Sequence, residues 1–122
     1  MDYTRSVVNY LNELGLGITA YREVPSKRPT EDEPPRPFAV VELIGCTAES
    51  RFQRSPSVDI DCWAPSQHVA ESLSLDVASA MEAMPERRLD IAHVSVTTIY
   101  SSPDIESGTP RYVVSCDIYA NK

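Results

Sequence analysis

The 122-residue chain is long enough for one hydrophobic core and too short for two, so we expect a single domain over residues 1–122. Its net charge of −7 argues against a general nucleic-acid binder and against an anionic membrane surface, because both partners attract basic protein surface. Three cysteines, an odd number, indicate reduced thiols in a cytosolic protein. No apolar run suggests secretion or membrane insertion.

The first predicted element is an amphipathic helix over Tyr3–Leu14, capped by Asp2 or Thr4. Apolar residues recur along one face at spacings of three and four, which predicts that this face packs on the rest of the protein. These residues are Tyr3, Val7, Tyr10, Leu11 and Leu14. Gly15 ends the helix, since glycine adopts left-handed backbone geometry without a Cβ clash. A short strand over Ile18–Val24 follows.

The composition changes between Pro25 and Pro37, where five prolines are mixed with charged residues and no large apolar residue occurs. We predict an exposed, extended loop at 25–37, because the segment lacks the apolar area that would offset the entropy of ordering. Long loops in compact domains are uncommon and often functional. Two interpretations stay open: an arm that orders against a partner, and a tolerated surface insertion.

Two strands follow this loop. Phe38–Cys46 is apolar on both faces, which predicts a central position in the sheet. Thr47–Ser57 is predicted to be a polar, hairpin-like connection. The next strand, Val58–Trp63, alternates between an apolar face and a polar one. Its inward face carries Val58, Ile60 and Cys62, and its outward face carries Asp59, Asp61 and Trp63.

A second amphipathic helix is predicted from Gln67 to Met84, with Ser66 as its cap and Pro85 closing it. Its apolar stripe consists of Val69, Leu73, Val77, Ala80, Met81 and Met84. A stripe of this kind beside a half-apolar strand predicts a helix packed on a sheet.

The last two predicted strands, Ala92–Tyr100 and Arg111–Tyr119, form a hairpin across a turn-rich connection at Ser101–Pro110. In the first of these strands one face is predicted to carry Val94, Val96, Thr98 and Tyr100. In the second the inward face is predicted to carry Tyr112, Val114, Cys116 and Ile118. The element order is therefore α-β-β-β-α-β-β. This order predicts an α+β fold with a mixed or mainly antiparallel sheet and two main helices on one face.

An enzyme hypothesis starts from Asp59, Asp61 and Asp117, because close carboxylates can bind a divalent metal or divide acid and base roles. Alternating acids on the wet face of a strand are nevertheless ordinary. A metal site built from Cys62, His68, His93 and Cys116 lacks any local ligand spacing. We therefore expect no catalytic residue, no bound cofactor and no metal.

Several outward residues are candidates for contacts with another subunit or a partner. Trp63 either packs against the first turn of the second helix or anchors an interface, where tryptophan is enriched. Arg51 and Arg54, with Phe52 between them, carry positive charge in an acidic protein, which favours a contact with acids of a neighbouring subunit. The candidate interface residues are Arg51, Phe52, Arg54, Asp59, Asp61, Trp63 and Tyr119. Tyr119, with Val113, is predicted to contact a partner at a sheet edge.

The segment Val58–Ala64, the following helix with its small residues, and the closing segment Arg111–Ala120 together resemble the tail terminator and tail-completion proteins of long-tailed bacteriophages. The pattern is an alternating strand that ends in Trp-Ala, a helix rich in small residues, and a final strand that opens with an aromatic residue. The N-terminal helix before a short strand also fits, so the resemblance covers nearly the whole chain. The segment at 25–37 departs from a minimal version of the pattern.

The resemblance implies a structural virion protein that forms a ring, typically a hexamer, at the head-proximal end of the tail tube. It implies that the protein acts in the host cytoplasm during assembly and stays in the tail or neck of the virion. The implied partners are other copies of the chain, the tail tube protein and the head-tail connector proteins. DNA would pass through the ring without specific binding. The alternatives are another neck protein, a regulatory or binding module, and a small cytosolic enzyme that uses Asp59, Asp61 and Asp117.

Overall fold

The computed structural model describes residues 2–24, 37–50 and 53–120. The helices are α1 (Tyr3–Glu13), α2 (Gln67–Glu82) and the single turn α3 (Met84–Arg87); the strands are β1 (Thr19–Tyr21), β2 (Phe38–Ser50), β3 (Gln53–Trp63), β4 (Ile91–Ser101) and β5 (Arg111–Ala120). This order confirms the predicted α+β class and adds one short helix. The predicted loop at 25–37 lies outside the described residues except for Pro37, as do Arg51 and Phe52.

The five strands form one mixed sheet in the order β1-β2-β3-β5-β4. β1 pairs with β2 in parallel, and the other neighbours are antiparallel. β5 lies between β3 and β4, so the last strand of the chain occupies the interior of the sheet. The helix α2 connects β3 to β4, the strand on the far side of β5.

Both long helices pack on one face of the sheet and form a single core with it, as predicted. The core residues are Val7, Tyr10 and Leu11 of α1, Leu73, Val77, Ala78 and Met81 of α2, and the inward residues of the strands, Ala39, Val41, Val58, Ile60, Cys62, Val94, Val114, Cys116 and Ile118. The Tyr10 hydroxyl donates a hydrogen bond of 2.5 Å to the carbonyl of Ala80, which joins α1 to α2. Burial of this apolar surface stabilises the two layers against each other.

The helix caps follow the sequence. The Asp2 carboxylate accepts a hydrogen bond from the Arg5 amide at 3.0 Å, and the Ser66 hydroxyl accepts one from the Val69 amide at 3.2 Å. Gly15 has a φ of 68°, the left-handed geometry expected beyond the end of α1. Pro85 does not close α2 directly, because α2 ends at Glu82 and the proline lies in the first turn of α3.

The buried stripe of α2 differs from the predicted one. Its members are Ala70, Leu73, Ser74, Val77, Ala78 and Met81. Val69 is exposed and Ala80 is only half-buried, because the stripe that faces the sheet is centred on Leu73, Val77 and Met81. The neighbouring small residues Ala70 and Ala78 therefore face the sheet, where their size permits close packing.

The β2 strand is central only at its start. β1 pairs with Phe38–Val40, and past that point no described strand flanks the outer edge of β2. Leu43 and Ile44 are consequently 44% and 56% exposed, so the prediction that both faces are covered is wrong for this half of the strand. The predicted connection at Thr47–Ser57 is also mostly paired strand, because β2 continues to Ser50 and β3 begins at Gln53.

Two register shifts in β4 change the face that its residues occupy. The pairing with β5 shifts between Ile91 and His93 and again between Val96 and Thr98. After the second shift Ile99 packs on the core, whereas Thr98 and Tyr100 are exposed. The prediction that Thr98 and Tyr100 share a face with Val94 and Val96 is therefore wrong, because one extra residue in a strand reverses every side chain that follows.

Candidate functional site

The side of the sheet opposite the helices carries most of the residues predicted for an interface, and we call it the open face. It consists of Phe38, Val40 and Glu42 of β2, Asp59, Asp61 and Trp63 of β3, Ser95, Thr98 and Tyr100 of β4, and Arg111, Val113, Ser115, Asp117 and Tyr119 of β5. The strand registers place these residues side by side. None of the described helices packs against this face.

A row of stacked rings crosses one end of the open face. The Phe38 and Trp63 rings stack with centroids 5.5 Å apart, and Tyr21 meets Phe38 edge-on at 6.1 Å. The Arg111 guanidinium lies 5.0 Å from the centre of the Trp63 ring, and its Nε donates a 2.7 Å hydrogen bond to the carbonyl of Ser102. The row joins β1, β2, β3 and β5 through ring stacking and a cation–π contact.

Trp63 is packed, although not against the residues that the sequence suggested. It is 7% exposed, and it contacts Phe38 and Arg111 on the open face instead of the first turn of α2. The reason is alternation along β3: Cys62 faces the helices, so Trp63 faces away from them. Its indole Nε1 is buried and has no hydrogen-bond partner in the part of the chain that the structure describes.

Carboxylates occupy the middle of the open face. Glu42 lies directly opposite Asp59 in the β2–β3 pairing. The Asp59 carboxylate accepts a 2.6 Å hydrogen bond from the Ser115 hydroxyl, and the Asp117 carboxylate accepts one of 2.6 Å from Ser57. Each bond crosses from β3 to β5 between residues that are paired in the sheet. The acids therefore help to hold the two strands in register.

Burial raises the pKa of the Asp61 carboxyl above its usual value. Glu42 and Asp59 raise this pKa further through like-charge repulsion, whereas the Arg111 guanidinium lowers it. Asp61 lies between the acidic middle of the open face and the ring row, so its carboxylate is stabilised by one cation and repelled by two anions. A cationic group from another molecule would complete the charge balance here.

The three carboxylates of the enzyme hypothesis share one face. The spacing predicted this for Asp59 and Asp61, and Asp117 joins them because β5 pairs with β3. Asp59 and Asp117 are each bonded to a serine across the strand pair, and Asp61 lies beside Arg111. They lie on the open face of the sheet and are not among the residues that line the shallow groove on the helical side.

The residues of the metal hypothesis lie on four different elements of the fold. Cys62 and Cys116 are in the core, where burial raises the pKa of each thiol to about 12. His93 lies on β4 with its ring 5.8 Å from that of Tyr119, and His68 is exposed at the start of α2. Within the described ranges no group of three or more His, Cys, Asp or Glu side chains is arranged to bind a metal ion.

The other interface candidates have mixed outcomes. Tyr119 is half-buried on β5, so the prediction of a sheet-edge contact for Tyr119 and Val113 is wrong: β5 is an interior strand. The backbone of Arg54 lies in β3 opposite Ala48. Glu42 and Arg111 also lie on the open face, although neither was predicted as a candidate. Their place there depends on strand register, and the alternation along β2 and β5 was the available signal.

A shallow groove of about 340 Å³ lies on the helical side of the molecule. Its lining is Tyr10, Leu14, Leu16, Asp76, Ser79, Ala80, Ala83 and Arg87, so it is mainly apolar with one acid and one base. The sheet separates this groove from the open face. It brings together none of the residues that the sequence singled out as candidate site residues.

Comparison with protein-family models and with curated protein sequences finds no match for this chain. None of the helices among the described residues is long and apolar enough to cross a membrane.

Proposed function

We propose that this chain is the subunit of a ring that caps the tail tube of a long-tailed bacteriophage and joins the tail to the head. The proposal rests on the resemblance of the β3 strand, the α2 helix and the β5 strand to the tail terminator family. The observed order of helices and strands is compatible with that resemblance. The proposed protein has a structural role in assembly and no catalytic activity.

The observation that carries the proposal is the difference in charge between two parts of the same molecule. The open face is acidic, with Glu42, Asp59, Asp61 and Asp117 on neighbouring strands. In the sequence Arg51 lies between β2 and β3, and Arg54 is the second residue of β3. A ring needs contacts between unlike surfaces of adjacent copies, and opposite charges on those surfaces fix their orientation.

The β2–β3 hairpin continues beyond the rest of the sheet pairing. β3 pairs with β5 only as far as Ser57, whereas β2 and β3 remain paired up to Ser50 and Gln53. The end of this hairpin is therefore a two-stranded ribbon, and Arg54 lies in one of its strands. In the proposed ring the basic residues at the end of this ribbon contact acidic residues of the next copy.

The acidic balance of the chain also fits the passage of DNA. With a net charge of −7, a ring of these subunits repels phosphate, so DNA moves through the lumen without being held. A basic lumen would retain DNA through counterion release. We propose that acids of the open face contribute to this lumen.

The test is a double variant, Arg51→Glu and Arg54→Glu, compared with the wild type in electron microscopy and in a tube-capping assay. The assay adds the protein to polymerising tail tube subunits encoded in the same genome and measures tube length. The matched control, Arg5→Glu with Arg87→Glu, makes the same charge change at two exposed positions elsewhere.

The proposal predicts that the wild type and the control form rings and shorten the tubes, and that the Arg51/Arg54 variant does neither. Rings that persist in the Arg51/Arg54 variant would refute the contact between these arginines and acids of the next copy. A wild-type protein that forms rings without binding tube ends would favour another neck protein, since such a ring joins head and tail at a different level.

A further inference from the structure

Three of the described strands have edges that no other described strand covers. The short strand β1 and the strand β4 lie at the two ends of the sheet, and β2 is uncovered beyond Val40, where β1 no longer pairs with it. The two long free edges are those of β2 and β4. We call residues 41–50 of β2 the free β2 edge. Along it Leu43 and Ile44 expose about half of their side-chain surface.

Neither edge carries lysine or proline, two residues that natural sheets use to prevent edge pairing; both are absent from residues 41–50 and from residues 91–101. The β2 edge does carry Glu42 and Glu49, and the pairing of each strand with its neighbour contains two register shifts. Both segments also contain β-branched residues, which favour extended strands. An uncovered edge with exposed apolar side chains is a template for a further strand.

We propose that the free β2 edge binds the β4 strand of a second copy of this chain, so that copies join head to tail through a continuous sheet. The two segments match in length, ten residues against eleven. This inference rests on the proposed ring, and it adds the surface through which successive copies join. Burial of Leu43 and Ile44 under the neighbouring strand adds an apolar contact to the backbone hydrogen bonds.

The direction of the strands supports this pairing. β2 and β5 run one way in the sheet, and β3 and β4 run the other way. A second copy placed beside the first in the same orientation therefore brings its β4 antiparallel to β2. The junction then has the same antiparallel direction as the β2–β3, β3–β5 and β4–β5 pairs, and each added copy leaves a new free β2 edge or β4 edge for the next.

A two-fold contact between the β2 edges of two copies is the main competing arrangement. Full antiparallel overlap of residues 41–50 places position 42 opposite position 49, and both are glutamates. Like charges directly opposite each other destabilise a strand pair. Such a contact also closes after two copies and leaves β4 unpaired, whereas the head-to-tail contact uses both free edges.

A native cysteine of the chain can be used to test this contact by crosslinking. Cys46 is an exposed thiol on the free β2 edge, whereas Cys62 and Cys116 are buried. We would introduce Thr98→Cys on β4 and treat the full-length protein with a short bis-maleimide over a concentration series. The matched control is Leu75→Cys, at an exposed position on α2 far from either edge. Products are separated under denaturing, reducing conditions.

The proposal predicts a ladder of covalent multimers larger than dimers in the Thr98→Cys variant, because each chain then carries a reactive thiol at both ends of the repeating contact. The wild type and the Leu75→Cys control should remain uncrosslinked at the same concentration. Covalent dimers in the wild type would overturn the proposal in favour of the two-fold β2 contact. A Thr98→Cys variant that crosslinks no more than the control, at every concentration, would also overturn it.

A second measurement uses Ile44→Lys, which places a charge on the free β2 edge, with Leu75→Lys as the control of similar exposure. The proposal predicts that only Ile44→Lys loses self-association, measured by light scattering, and an Ile44→Lys protein that still associates would contradict it.

The edge pairing and the proposed tail function can be disproved separately. Rings that form without covalent multimers would overturn the edge pairing but not the proposed ring. Covalent multimers of a protein that never caps tubes would overturn only the proposed tail function.

Discussion

The Ser115 hydroxyl donates a 2.6 Å hydrogen bond to the carboxylate of Asp59, the residue directly opposite it on the neighbouring strand. Ser57 and Asp117 repeat the arrangement one step along, with donor and acceptor exchanged between the two strands. The β3 and β5 strands are therefore joined by two side-chain hydrogen bonds in addition to the hydrogen bonds between their backbones. These bonds explain why carboxylates occur in the middle of a sheet surface.

Ser115→Ala should lower the free energy of unfolding by about 1 kcal/mol, since a hydrogen bond to a partly exposed carboxylate contributes about that much. The measurement is the urea midpoint of the purified protein. Ser95→Ala is the matched control: it lies on the same face, and its hydroxyl has no hydrogen bond to any described residue. Equal midpoints for the two variants would show that the Ser115–Asp59 bond adds nothing to stability.

Asp61→Asn should stabilise the protein at neutral pH. In the folded protein burial raises the pKa of Asp61, so its charged form is less favourable there than in the unfolded chain. The native state therefore binds the proton more tightly, and this penalty on stability disappears as the pH falls below the unfolded value of about 3.8. Urea unfolding of both proteins at several pH values tests this. A stability advantage of the Asp61→Asn variant that grows on acidification would contradict the assignment.

The three cysteines should differ in reactivity. Cys46 is exposed, whereas burial raises the pKa of Cys62 and of Cys116 to about 12 and removes both thiols from solvent. A chromogenic disulfide reagent should therefore label one thiol per folded chain and all three in denaturant. Fast reaction of more than one thiol in the native protein would show that the core opens readily or that the β-sheet core is misassigned.

Tyr10→Phe should cost about 1 kcal/mol of stability, because it removes the hydrogen bond from the Tyr10 hydroxyl to the Ala80 carbonyl. This bond joins α1 to α2, and its loss leaves the Ala80 carbonyl without its side-chain donor. Tyr100→Phe is the control, since Tyr100 is exposed on β4. The measurement is the thermal unfolding temperature of both variants. If Tyr100→Phe lowers this temperature more than Tyr10→Phe does, the result would argue against this packing of the helices.

Local patterns in the sequence predicted the elements and most of the inward residues. The alternation of Val58, Ile60 and Cys62 gives the buried face of β3 because side chains in a strand point to opposite faces in turn. The β4 strand shows the limit of this argument. Its two register shifts depend on pairing with β5, so the inward position of Ile99 does not follow from the residues of β4 alone.

The candidate site shows the same limit. The spacing of Asp59 and Asp61 was sufficient to place both on one face, and Asp117 joined them because β5 has the same alternation. Glu42 could be placed opposite Asp59 only once the register of β2 was known. The position of β5 between β3 and β4 was also outside local reasoning, which led to the incorrect edge assignment of Tyr119.

The most direct test of the account is the mass of the wild-type protein in solution, measured by light scattering coupled to size exclusion over a concentration series and followed by electron microscopy of the largest species. The account predicts concentration-dependent assembly into closed rings of one size. The Ile44→Lys variant should stay monomeric in the same series. A wild-type protein that remains a monomer at every concentration would contradict the ring and the edge pairing together.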